Sequence, residues 1–130
     1  MQNNPVVWFE IYVQDMQRAR KFYEAVLEAK LEPMPAPTPE FDLEMWAFPS
    51  DKEKAPTTYG ACGMLVKMEG FGPAGGGAVV YFGCADCAAP AARAAANGGA
   101  IVKGKTSIGE HGYIALARDS EGNVIGFHSM

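Results

Sequence analysis

Two aspartates, Asp15 and Asp86, each close an alternating apolar run and open a helical pattern, and the offset of 71 residues from one to the other sets the plan of the chain. Before Asp15, the run VVWFEIYV puts Val7, Phe9, Ile11 and Val13 on one side of a strand and Trp8, Glu10 and Tyr12 on the other. Asp15 stands where a helix N-cap belongs, its carboxylate placed to accept a backbone N–H of the first turn. Behind it, Ala19, Phe22, Tyr23 and Val26 fall at i, i+3, i+4 and i+7. That stripe is expected to pack on the Val7/Phe9/Ile11/Val13 side. Before Asp86, Ala78–Cys84 is again a strand, and Cys87–Asn97 is an alanine-rich helix that Gly98 and Gly99 stop. In this register Trp8 corresponds to Val79, Glu10 to Tyr81 and Tyr12 to Gly83.

Each half continues in strands. After the first helix, a short strand over Lys30–Met34 runs into Pro33, Pro35, Pro37 and Pro39, which lack N–H donors and mark a loop or an edge. Phe41–Phe48 alternates, with Phe41, Leu43, Met45 and Ala47 on one side and Asp42, Glu44, Trp46 and Phe48 on the other. A polar turn over Asp51–Thr58 leads to Tyr59–Met68, a strand apolar on both faces. In the second half, strands are expected over Ala100–Thr106, Tyr113–Arg118 and Val124–His128, the last two joined by the turn Asp119–Asn123. The organisation is one domain over 1–130: a β-α-β-β-β module over about 5–68, a glycine-rich linker over 69–77, and a second module over about 78–130. The linker contains a literal G-x-G-x-x-G at Gly70, Gly72 and Gly75, but it leads into a strand rather than a helix. A dinucleotide fingerprint needs the helix, so the match is chance.

Composition narrows the partners. Net charge −4 argues against nucleic acid, whose phosphates need a positive patch. No apolar run reaches the roughly 18–20 residues of a membrane span. MQNNP lacks the basic and apolar regions of a signal peptide. Three cysteines, an odd number, fit a reducing, cytoplasmic setting.

FEIYVQDMQRARKFYEAVL, the glycine-rich middle, the Val79–Gly99 repeat and the closing ARDSEGNVIGFHS resemble the vicinal oxygen chelate superfamily of glyoxalase I, extradiol dioxygenases and bleomycin-resistance proteins. The strongest points are V-x-D-x-x-R-A-x-x-F-Y at Val13–Tyr23 and D-x-x-G-N at Asp119–Asn123. The resemblance implies an α+β fold in which two βαβββ modules form a curved eight-stranded sheet around an open cleft, usually as a homodimer. In catalytic relatives, His and Glu side chains from the first and last strands of each module hold a divalent metal. The resemblance places those positions on Trp8, Val79 and Gly126, with Gly63 as the fourth. None of the four supplies a metal donor, so no metal or other cofactor is expected.

Period-two geometry puts Glu10 and His128 on the cleft face, two residues beyond Trp8 and Gly126. One reading makes them a catalytic acid/base couple, or two legs of a shifted metal site in a lyase, isomerase or dioxygenase. The other has Glu10 hydrogen-bonded to Tyr81 or Tyr12 and His128 solvated near the terminus. Trp8, Tyr12, Trp46, Phe48 and Tyr81 are placed on the cleft face by alternation, either as a ligand wall or as simple filling. Cys84 and Cys87 form a C-x-x-C at a helix start, read as buried thiols, and His111 as a turn residue. The expected function is metal-free binding of a small, partly aromatic molecule in the cleft of a dimer, with enzymatic activity left open.

Overall fold

The computed structural model describes residues 3–36, 43–51, 53, 60–70 and 77–130. The prolines at 37 and 39, residues 41 and 42, and most of the expected 51–58 turn and 69–77 linker lie outside them. Eight strands and two α-helices follow one another among the described residues as two βαβββ halves of an α+β fold. By contacts the chain divides after Ala78, into Trp8–Ala78 and Val79–Met130, the latter together with Met1–Val7.

The N-terminal unit holds most of β1 (Val6–Tyr12), then α1 (Met16–Leu27), β2 (Glu32–Met34), β3 (Leu43–Ala47) and β4 (Cys62–Met68). Its strands lie in the order β2-β3-β4-β1, with β4 parallel to β1 and antiparallel to β3. Asp15 caps α1, its Oδ1 accepting the Arg18 N–H at 3.0 Å. One side of these strands meets the helix: Met16, Leu31 and Leu65 are buried there, with Ile11, Val13, Ala19 and Tyr23 packed around them.

The helix is rotated from the expected stripe. Ala19 and Tyr23 face the core, but Phe22 and Val26 are about 60% exposed. Arg20 and Glu24 take the inward places instead. The Arg20 guanidinium lies 3.3 Å from the centre of the Trp46 ring, and Glu24 Oε2 accepts the Leu31 N–H at 2.9 Å. An arginine stem and a stacked guanidinium cover apolar surface as well as an aromatic does.

The C-terminal unit contains β5 (Ala78–Gly83) from Val79 on, then α2 (Ala88–Ala96), β6 (Ala100–Ser107), β7 (Tyr113–Arg118) and β8 (Val124–Ser129), in the order β5-β8-β7-β6. Cys87, Ala91, Ala115, Ala117 and Phe127 form its core under α2. The small alanines let the helix sit close to the strands. Cys87 rather than Asp86 occupies the N-cap position and makes no side-chain cap bond; Asp86 Oδ1, one residue earlier, accepts the Ala88 N–H at 3.1 Å and Lys105 Nζ at 3.0 Å. The Asp119–Asn123 turn is held by Asp119, which accepts from the Glu121 and Asn123 backbone and from the Asn123 amide, while Gly122 adopts φ 87°.

The repeat is visible in one bond. Val13 N–H donates to Val66 O at 2.9 Å, and Cys84 N–H donates to His128 O at 2.9 Å. Val13 and Cys84 are related by the same 71-residue offset as the two aspartates. This fixes Val66 as the counterpart of His128, and therefore Met64 as the counterpart of Gly126. The expectation that Gly63 fills the fourth ligand position is corrected to Met64. Gly63 lies on the opposite face of β4, where the Phe9 ring sits over it so closely that a Cβ would meet ring carbons at 2.4 Å.

Candidate functional site

On β1 the side away from α1 carries Trp8, Glu10 and Tyr12, as alternation predicts. Glu10 is 8% exposed. Its Oε1 accepts the Tyr12 hydroxyl at 2.6 Å and its Oε2 accepts the Trp8 indole N–H at 3.2 Å. These two donated hydrogen bonds offset part of the cost of burying the polar carboxyl group. The three side chains thus brace one another: the carboxylate orients the indole and the phenol, and they hold the carboxylate.

Around this triad the strand neighbours are soft and apolar. Met64 pairs with Glu10, Cys62 with Trp8 and Val66 with Tyr12, all on the same side. Met45 pairs with Val66 and is buried. The sequence alone does not single out Met45 or Met64. β4 is apolar on both faces, so nothing in its composition tells which thioether lies beside the carboxylate.

Trp46 and Phe48, expected on the ligand face, lie on the α1 side. Trp46 pairs with Leu65 and stacks under Arg20, and Phe48 packs against Phe9 and Tyr23 with ring centres 5.5 and 5.6 Å apart. Both alternating sets of β3 contain large apolar residues, so periodicity fixes which residues share a face but not which face meets the helix.

In the C-terminal unit, Tyr81 and His128 lie on the side away from α2, opposite Phe82 and Phe127. Tyr81 is 4% exposed and its ring covers Gly126, its strand partner; a Cβ there would stand 2.4 Å from the ring. His128 is half-buried. Its Nε2 is 2.6 Å from the His111 carbonyl oxygen, which only accepts, so this nitrogen carries the proton and is the donor. That bond ties β8 to the 3-10 turn Gly109–His111 and leaves Nδ1 as the unprotonated ring nitrogen. Glu10 and His128 belong to different units, and each is engaged within its own.

The C-x-x-C thiols are structural in placement. Cys87 is fully buried in the α2 core, and its backbone N–H donates to Ser129 Oγ at 3.0 Å. Cys84 Sγ donates to the His128 carbonyl at 3.4 Å. Burial first, then Cys87 and Asp86, push the Cys84 thiol above its ordinary range, which opposes thiolate reactivity. All three cysteines are free. His111 is exposed, with Glu110 Oε1 at 3.7 Å.

The donor set tests whether a divalent metal fits. The four implied positions hold an indole whose N–H is given to Glu10, a valine, a glycine under a tyrosine ring and a thioether. Among the described residues no three His, Cys, Asp or Glu side chains converge. Imidazole and carboxylate sites for Zn, Ni or Fe cannot be built from these groups. The residues do not fit the metal.

A family model, the Glyoxalase/Bleomycin resistance protein/Dioxygenase superfamily, matches residues 6–127. The chain belongs to this superfamily. A hypothetical protein from Bacillus halodurans C-125 is similar in structure at TM-score 0.70 and 13% identity, covering 99% of this chain and 96% of its own. A methylmalonyl-CoA epimerase in complex with methylmalonyl-CoA and NH4+ is similar at TM-score 0.64 and 18% identity, over 96% of this chain and 93% of its own. Methylmalonyl-CoA epimerase from Mycobacterium tuberculosis is similar at TM-score 0.63 and 14% identity, over 99% and 92%. At these identities the likeness establishes the fold alone. No curated protein matches the sequence. No helix among the described residues is long and apolar enough to cross a membrane.

Proposed function

We propose that this superfamily member binds a small, partly aromatic molecule without a metal, on the strand face that carries Trp8, Glu10 and Tyr12. The observation that carries the reading is a buried carboxyl group held by two aromatic side chains beside the apolar side chains of Met45, Cys62, Met64 and Val66. A few placed polar groups in an apolar lining are the ordinary make-up of a small-molecule site. A metal-dependent lyase, isomerase or dioxygenase built on Glu10 and His128 is not favoured, because among the described residues no three His, Cys, Asp or Glu side chains converge to hold a metal. The chain is read as a cytoplasmic homodimer. Free thiols support the compartment, and exposed Phe22, Val26 and Leu27 on α1 support the second copy.

The test uses chelator-treated protein carrying Trp46→Phe, so that fluorescence reports Trp8. Titration with the neutral aromatic dye Nile red is expected to quench Trp8 saturably, and added Zn, Ni or Mn to leave the curve unchanged. Binding that appears only with a metal, or that never reaches Trp8, overturns the reading.

A further inference from the structure

Helix α1 presents a second stripe to solvent, on the side away from its core. We infer that this stripe is the contact between two copies of the chain, with α1 of one copy lying antiparallel against α1 of the other about a two-fold axis level with Glu24 and Ala25. The inference rests on the second-copy reading above and names the surface, the geometry and the charge pairs that make it.

Three observations carry it. First, the stripe is apolar, open and complementary to itself. Phe22 and Val26, one turn apart, are 59% and 60% exposed. Beside them Ala25 and Ala29 floor a shallow groove rimmed by Lys21, Glu24, Glu28 and Lys30. At about 100° per residue, Phe22 and Val26 lie on one flank of Ala25, and Lys21 and Glu28 on the other. A two-fold axis between antiparallel helices lays each flank on its own copy, so residues of one flank must suit each other. They do: Phe22 comes opposite Val26 of the second copy, and Lys21 opposite its Glu28. Second, those two charges are unused within the chain. Lys21 and Glu28 are exposed and form no ion pair among the described residues. They are seven residues apart, about 10.5 Å along the axis, so they share a side but cannot pair with each other. Third, α1 is charged against its own dipole. It has no acidic residue in its first turn and no basic residue in its last. Arg18 and Lys21 lie in its N-terminal half, Glu24 and Glu28 towards its C-terminal end. Anions are favoured at a helix N-terminus and cations at its C-terminus, so a single copy gains nothing from this order. Glu28 also holds the left-handed C-cap at φ 50°, a place glycine fills without steric cost. An antiparallel second helix sets each basic half against an acidic helix end. A stripe kept for an unrelated partner has no need to match itself flank by flank.

The experiment is sedimentation velocity on the full chain from about 1 to about 200 µM. One pair of 12-residue helices is at the small end of interface sizes, so a monomer–dimer equilibrium is expected within that range. Lys21→Glu and Glu28→Lys each set like charges opposite one another at both symmetric contacts, and each should weaken the dimer about tenfold. Mixed in equal amounts, the two variants should form a heterodimer with about the native affinity, because each charge then meets its opposite. The double variant Lys21→Glu/Glu28→Lys should dimerise as the native chain does. Phe22→Gln, at an exposed position, should weaken the dimer while keeping the native far-UV circular dichroism. A dimer whose affinity none of the three single variants changes overturns the α1 contact and leaves the second-copy reading standing. Weakening by both charge variants without rescue in the mixture or the double variant overturns the two-fold pairing. A chain that stays monomeric throughout the range overturns both the contact and the second-copy reading.

Discussion

Gly126→Ala isolates the packing that closes the implied metal position. Gly126 is buried beneath Tyr81, and an added Cβ would lie 2.4, 2.5 and 2.9 Å from Tyr81 ring carbons. Carbon atoms rest at about 3.5–4.0 Å, so the ring has to retreat by about 1 Å. Tyr81 is only 4% exposed, leaving little free space for that movement. Overpacking of this kind costs about 1–3 kcal/mol. Against it runs the loss of unfolded-state freedom when glycine becomes alanine, about 0.4–1 kcal/mol of stabilisation, available here because the Gly126 φ is not in the left-handed region. Overpacking wins, by about 1–2 kcal/mol. For a chain of this size that is a fall of about 3–10 °C in Tm. Urea unfolding with an unchanged m-value is the direct assay. A Tyr81→Ala background should cancel the effect, because the clash has no partner there. Gly126→Ala melting at or above the native chain would refute the packing argument, and with it the claim that the ring fills this position.

Other outcomes follow from single interactions. Leu65→Ala, at a fully buried position under α1, should cost about 2–5 kcal/mol in urea unfolding. Trp46→Phe should lower Tm through the lost Arg20 stack yet leave probe binding at Trp8 unaltered in affinity. Asp119 is held below the usual carboxylate range, first by the Asn123 amide and then by backbone N–H groups of Asn123 and Glu121. Its stabilisation is therefore present above the unfolded-state value and lost as pH falls below about 4, and Asp119→Asn should flatten that acid limb of a Tm–pH curve. Because burial raises the Cys84 thiol, iodoacetamide should label it more slowly at pH 8 than a free cysteine, with global unfolding restoring the rate.

Much of the fold is legible in the sequence because it rests on short-range rules. Asp15 as a cap, the alternation of β1, the alanine-rich α2 and the Asp119–Asn123 turn are each set by neighbours within a few residues. What escaped depends on non-local choices. Hydrophobicity alone cannot show that Arg20 has Trp46 to stack on, so the α1 stripe by itself points Phe22 and Val26 inward. Either alternating set of β3 could be buried, so alternation alone does not decide the side of Trp46 and Phe48. Only the equivalent bonds at Val13 and Cys84 set the register that puts Met64, rather than Gly63, opposite Gly126 in the repeat. At the site itself, Glu10 stands out in sequence as a lone carboxylate in an apolar strand. Its two partners, both two residues away, follow from the same period.

The four positions where the superfamily resemblance puts metal ligands hold Trp8, Met64, Val79 and Gly126, and they have not been emptied at random. Trp8 gives its only polar hydrogen to Glu10. Gly126 is small because Tyr81 needs the space above it, and Met64 stands beside Glu10 across the strand pair. Restoring one donor, by Gly126→Glu or Trp8→His, would therefore break an existing contact before it offered a ligand.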